Sequence, residues 1–185
     1  MIRESLDLVR KVGVVTRYSM AHLNREESVL EHTGGVALLA MLIGLKCNAD
    51  IGELLQKAVI HDIEESQIGD IASPVKYHSV NILNGISALG NKVVMDIALE
   101  LNILELVPIW FDSKDGTLEG RIVKFCDIIS VLGKIHEEVV MYSNISIKNY
   151  AQNTLEGLEK LRKGETNEHL KILMDEAIEF NKELI

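Results

Sequence analysis

Apolar residues that recur every three or four positions along most of the chain constrain its fold more than any other feature. Val29, His32, Val36, Leu39 and Ile43 fall on one helical face, and prolines occur only at Pro74 and Pro108, so long stretches lack the residue that breaks helices. Helices are predicted throughout. Ser28-x-x-Glu31 has capping-box form, and Asp50-x-x-Glu53 opens a second helix expected over about 50–67. Gly69-Asp70 and Ser73-Pro74 mark a loop, helices are expected near 75–88 and 91–102, Pro108 marks another break, and Asp112–Gly116 reads as a solvated turn. From Leu118 to Tyr142 apolar residues lie nearly all round, which predicts a central buried helix. Helices over about 146–163 and 167–183 close the chain, with Gly164 expected as a left-handed, helix-ending residue.

At 185 residues, with 47% hydrophobic and 25% charged residues, the composition suits one all-α domain over 1–185 that buries its own core. A net charge of −9 argues against a broad footprint on a nucleic-acid polymer or an anionic membrane, while leaving room for local binding of a small anion. Cys47 and Cys126 stand in apolar surroundings and are expected as buried free thiols of a reducing compartment. Arg3, Glu4, Asp7, Arg10 and Lys11 interrupt the N-terminal segment, and no run approaches the roughly 20 apolar residues of a membrane helix. The expected location is cytoplasmic.

Against this apolar background three polar features stand out: His32 on a core face, His61-Asp62 inside an apolar helix, and Asp127 inside the most apolar helix. An unpaired carboxylate in a low-dielectric interior costs several kcal/mol or becomes protonated. One shared divalent metal would satisfy all three. Two His and two Asp suit zinc, cobalt, manganese or iron, and suit magnesium, which prefers all-oxygen ligands, less well. Glu65 lies one helical turn from His61 and Asp62, within reach of a water at such an ion, as a general base must be. The competing structural reading is that a lone core His is hydrogen-bonded and a lone buried Asp pairs with Arg or caps a helix. Adjacent residues also diverge by about 100° around a helix, so spacing alone does not bring His61 and Asp62 to one ion.

The order His32, His61-Asp62, Asp127 is the H…HD…D pattern of the HD superfamily. More closely, the chain resembles the bacterial HD-domain 5′-deoxynucleotidases and the related phage deoxyadenosine triphosphate triphosphohydrolases. The likeness runs from Arg17 to about Glu138 and includes Thr-Arg-Tyr-Ser-Met (16–20), Glu31-His32, His-Asp-Ile-Glu-Glu (61–65), Gly69-Asp70, Ser-Pro-Val-Lys-Tyr (73–77) and Val-Lys-Phe-Cys-Asp (123–127). The resemblance implies a single HD-domain helical bundle with one buried divalent metal held by His32, His61, Asp62 and Asp127. It assigns Glu65 to water activation, Arg17 and Lys76 to phosphate, Asp70 to the sugar side, and the Tyr18–Met20 segment to the nucleoside. Tyr18 departs from the Trp typical of these relatives, which leaves the base open.

A small-molecule deoxynucleotide is then the partner, and the relatives' assembly implies a homo-oligomer, a dimer or larger. The first reaction implied is release of phosphate from deoxynucleoside 5′-monophosphates, and the alternative is cleavage of a deoxynucleoside triphosphate of the dATP type into nucleoside and triphosphate. Rivals of other classes are a non-catalytic nucleotide-binding HD module and a helical structural protein stapled by metal. His78, His136 and His169 lack partners at ligand spacing, Trp110 is expected to pack, and Glu137-Glu138 is expected on a solvated helix face.

Overall fold

Side-chain caps legible in the sequence set the main helix starts. In the computed structural model, which describes residues 1–184, Ser28 Oγ accepts from the Glu31 N–H at 3.1 Å while a Glu31 carboxylate oxygen accepts from the Ser28 N–H at 2.8 Å. Asp50 accepts from the Glu53 N–H at 3.0 Å, and Thr117 from the Gly120 N–H at 3.1 Å. The helices are α1 (Ile2–Val14), α2 (Val29–Cys47), α3 (Ile51–Ile60), α4 (Glu65–Ile68), α5 (Ser73–Lys76), α6 (Val80–Leu101), α7 (Leu106–Phe111), α8 (Leu118–His136), α9 (Lys148–Gly164) and α10 (Glu168–Lys182). A π turn, Glu137–Met141, extends α8, and a 3-10 turn, Ile145–Ile147, leads into α9. Among the described residues there is no strand, only an isolated antiparallel bridge between Thr16 and Ser28.

As its composition predicts, α8 is the central element: Ile122, Val123, Phe125 and Cys126 are inaccessible, and the helix packs against α2, α3, α9 and α10. The main core gathers around it from Val36, Ala40, Leu54, Ala58, Leu158, Leu170 and Met174. A smaller cluster, Val93, Ile97 and Leu101 of α6, closes over Ile63 and Leu106. Both cysteines are buried and free. By length and apolarity alone α2 and α6 would also pass for membrane spans, but α2 carries the inaccessible His32 and threads the core.

Several helix boundaries depart from expectation. The helix expected over 50–67 stops at Ile60, because the His61 ring bonds at 2.8 Å to the Ala58 carbonyl that a continuing helix would give to the Asp62 N–H. Tight i to i−3 bonds then carry the chain through 61–66 into α4. The two helices expected at 75–88 and 91–102 are instead the four-residue α5 and one continuous α6, capped by Ser79. Gly90 is no break, since a Cβ there would stand 3.4 Å from the Trp110 ring that seats against it. Pro108 falls in the first turn of α7, where its missing N–H costs nothing. Gly164 ends α9 without a left-handed turn; the chain leaves through extended Glu165, whose buried carboxylate accepts from the Thr166 and Asn167 N–H groups.

The turn before α8 is pressed against that helix. A Cβ on Gly120 would lie 2.6 Å from the Asp115 nitrogen and 2.8 Å from its carbonyl oxygen, distances that backbone cannot relieve without moving. Gly120→Ala is therefore expected to cost about 1–3 kcal/mol through overpacking, read as a lower midpoint in thermal unfolding. An unchanged midpoint would show that the turn yields freely.

Candidate metal centre

The tightening after Ile60 aims His61 and Asp62 at one point despite their adjacency. His61 fixes its own tautomer, because a bond from Nδ1 to a carbonyl requires a proton there and leaves Nε2 of the neutral ring as a lone pair. The His32 Nδ1 meets Ser130 Oγ at 3.1 Å, so its Nε2 also faces inward, 3.3 Å from that of His61. Asp62 Oδ2 lies 3.0 Å from His61 Nε2 and 3.6 Å from His32 Nε2, and Asp127 Oδ1 lies 3.2 Å from His32 Nε2. Four donor atoms from α2, the turn after α3, and α8 thus lie within 4.8 Å of one another.

That arrangement fits a divalent ion. Ligands each about 2.1 Å from one metal stand roughly 3–4.2 Å apart, close to the spacing found, and both imidazoles are oriented from behind as metal-ligating histidines usually are. Burial alone would raise both carboxyl groups. Without a metal, where the imidazoles can take up protons at Nε2, Asp127 is nevertheless held far below the ordinary range by the Lys114 ammonium and a bond from His32, and Asp62 by the charges of His61 and Lys114 and bonds from both histidines.

Glu65 sits on the rim of this cluster with one carboxylate oxygen buried and without a partner. Burial first, then the neighbouring Asp62 and Asp70 charges, pushes its carboxyl up to about 9. Arg17 Nη1 reaches Asp62 at 3.5 Å, and its Nε stands 3.6 Å from Glu27. The Thr16–Ser28 bridge and the Arg17 N–H bond to the Glu27 carbonyl place it there.

Tyr18 follows in a left-handed conformation (φ 62°), costly for an aromatic residue, and its N–H donates to Asp70 at 3.0 Å. Its ring is buried edge-on to Tyr150 and beside the Arg17 guanidinium, with the hydroxyl unpartnered. Arg17, Tyr18, Glu65 and Asp70 are thus brought together with the four ligands. Met20 lies exposed and Lys76 half-buried at the end of α5, and neither is hydrogen-bonded or ion-paired to the His/Asp cluster.

Two residues that the sequence hides prove central. Lys114, in the turn expected to be solvated, puts its ammonium 2.8 Å from Asp127 and 3.2 Å from Asp62. No local pattern distinguishes it from a surface lysine. Glu138, expected on a solvated face, is inaccessible: the π turn shifts its register inward, where it accepts from the Asn24 and Arg25 N–H groups at 2.9 and 3.1 Å and faces the Lys134 ammonium at 3.1 Å. Lys134 four residues earlier was the one available signal. Trp110 packs as expected, and also donates to Glu64 at 2.7 Å.

Two histidines and two aspartates at one focus of an all-helical fold define a metal-dependent phosphohydrolase of the HD type. The comparisons bear this out. Residues 5–177 match the family model "5′-deoxynucleotidase YfbR-like". A 5′-deoxynucleotidase of Photorhabdus laumondii is 29% identical over 70% of this chain and 70% of its own. A dATP triphosphohydrolase of Salmonella phage PMBT28 is 27% identical over 96% of this chain and 86% of its own. The solved cyanophage S-2L HD phosphohydrolase bound to dA and one catalytic Zn2+ ion shares the fold, with a TM-score of 0.66 at 14% identity over 96% of this chain and 94% of that one. The chain belongs to the YfbR-like 5′-deoxynucleotidase family.

The raised Glu65 carboxyl makes the metal-free protein pH-sensitive in a defined sense. A carboxyl moved from 4.5 to about 9 on folding lends stability that is complete below pH 4.5 and lost as pH rises toward 9. In excess chelator, Glu65→Gln is expected to flatten the fall in thermal midpoint between about pH 5 and 9 that the wild-type protein shows. Parallel curves for the two proteins would remove Glu65 as the cause.

Proposed function

We propose that the protein hydrolyses deoxynucleoside 5′-monophosphates to deoxynucleoside and phosphate, with one divalent metal held by His32, His61, Asp62 and Asp127, and with the whole chain acting as one phosphohydrolase unit. The convergence of those four donors inside 4.8 Å carries the reading. The family match over residues 5–177 supports the choice of substrate. Zinc, cobalt, manganese and iron suit the mixed nitrogen and oxygen donors better than magnesium does.

A metal bound there supplies Lewis-acid activation of the phosphate and of the attacking water. The remaining work falls to side chains. The water oxygen bonds to phosphorus, and the 5′ oxygen leaves with the electron pair of the broken P–O bond and takes up a proton. Glu65 receives the water's proton, and neutralising Asp62 removes much of the repulsion that keeps Glu65 protonated. Arg17, a planar two-pronged cation beside Asp62, holds phosphate oxygens, with Lys76 as a second cation. Asp70 accepts from the sugar hydroxyl while its bond from the Tyr18 N–H keeps the nucleoside segment Tyr18–Met20 in place.

Cleavage of a deoxynucleoside triphosphate is the second reading, favoured by the phage relative, whose match spans more of this chain. Association into a homo-oligomer is supported by the exposed apolar row Leu38, Met41, Leu42 and Leu45 on α2, and sedimentation tests it.

Product analysis with mono- and triphosphates of each deoxynucleoside, under several metals, separates the two reactions: free phosphate from monophosphates is expected, and triphosphate as the product would favour the second. His61→Ala is expected to lose both metal retention and hydrolysis; full metal content in this variant would count against the ligand set. Glu65→Ala should keep the metal and lose about 10²–10⁴-fold in turnover, and wild-type turnover would end its role as base. With Asp70→Ala, activity on deoxynucleotides should fall more than any residual activity on ribonucleotides.

A further inference from the structure

The four metal-ligand candidates already have a cation among them. Lys114 Nζ lies 2.8 Å from Asp127 Oδ2 and 3.2 Å from Asp62 Oδ1, with a third of the side chain still exposed. Its backbone is not that of a mobile surface turn. On the α8 side the neighbouring Asp115 is held by the buried Lys57 ammonium at 3.3 Å, and Lys57 also donates to Thr117 Oγ1 at 2.9 Å. Arg121 donates to the Gly116 carbonyl at 2.6 Å. On the other side Ser113 is buried. The turn thus aims one long, flexible cation at the centre of the site from a fixed base.

We propose that Lys114 is a phosphate-binding residue of this site, paired with the two aspartates when no metal is bound and with a substrate phosphate oxygen when one is. The proposal rests on the metal-site reading above. Its argument is charge balance in a confined volume. Asp62, Asp127 and Lys114 together carry one net negative charge, and a divalent ion on the same carboxylates turns this into one net positive charge. The ammonium faces Asp62 Oδ1 and Asp127 Oδ2 while the histidines face the other oxygen of each carboxylate, so a metal among the four donors shares the charge that neutralises the ammonium.

A partly buried cluster left with a net positive charge is costly, and the anion that the reaction brings to this point is phosphate. Lysine offers a point charge on a four-carbon stem, able to swing from carboxylate to phosphate without movement of the turn. Arg17 approaches Asp62 from the 15–28 loop, whereas Lys114 comes from the turn before α8 and also reaches Asp127. The two cations can therefore grip different oxygens of one phosphate.

The test uses the full-length chain with Lys114→Met, which keeps the stem and removes the charge, and Lys114→Arg, which keeps the charge. Metal-free proteins are titrated with zinc, and the zinc-loaded proteins with inorganic phosphate, each by calorimetry. Lys114→Met is expected to bind zinc about ten-fold more tightly, because a competing unit charge is gone, and phosphate about ten-fold more weakly. Lys114→Arg should bind phosphate within a few-fold of wild type. Zinc binding by Lys114→Met itself certifies that the variant is folded at the site. Unchanged phosphate affinity in zinc-loaded Lys114→Met overturns the assignment whatever its zinc affinity, and leaves the metal-site reading standing. Failure of the wild-type protein to bind zinc or any other divalent ion would instead bring down the metal-site reading.

Discussion

Two carboxylates that cannot be left alone govern this structure. Asp62 and Asp127 come from the turn after α3 and from the middle of the central helix, and both reach His32. Like charges so placed in a low-dielectric interior repel strongly and lose their hydration, so the pair survives only with cations or a metal between them. The surroundings answer that need. Two imidazoles turn their Nε2 atoms toward the carboxylates, Arg17 and Lys114 close in from two separate loops, and a serine and a carbonyl orient the histidines from behind.

Much of the remaining architecture serves to hold the 15–28 loop, which carries Arg17 and Tyr18 and has little regular structure of its own. Its ends are tied by the Thr16–Ser28 bridge, its start by the Tyr18 bond to Asp70, and its far side by Glu138. The last anchor is the most demanding. An inaccessible carboxylate that satisfies two backbone N–H groups, two asparagine amides and a lysine is strongly stabilised as the anion, and its carboxyl is held far below the usual range. The π turn after His136 is what points it there, an example of a local helix irregularity placed where function needs a side chain re-aimed.

Apart from Asn181 Oδ1 in α10, the side-chain polar atoms buried without a hydrogen bond among the described residues cluster in the same region: Arg17 Nε, Tyr18 hydroxyl, Glu27 Oε2, Glu65 Oε2 and Ser66 Oγ. Together with the left-handed Tyr18, they mark where binding geometry has been kept at some cost in stability.

The sequence by itself determined the helical class, the caps at Ser28 and Asp50, the buried character of α8 and the four polar residues set on apolar faces, whose meeting at one point only the family resemblance implied. Each of these depends on short-range rules: apolar spacing, a side chain three residues from an N–H, or the cost of a polar group on a buried face. Only the tertiary structure decided that α3 would stop at Ile60, that α6 would run unbroken past Gly90, and that Lys114 and Glu138 would be drawn into buried ion pairs and hydrogen bonds rather than solvated. In each case the deciding partner is remote in the chain or depends on a turn's exact course. Trp110 seats on Gly90, Asn24 and Arg25 bind Glu138 across more than a hundred residues, and Asp62 receives Lys114 from the turn before α8. A lysine in an Asp-Ser-Lys-Asp-Gly turn and a glutamate after a long helix carry no local mark of burial, because burial there is a property of what packs over them.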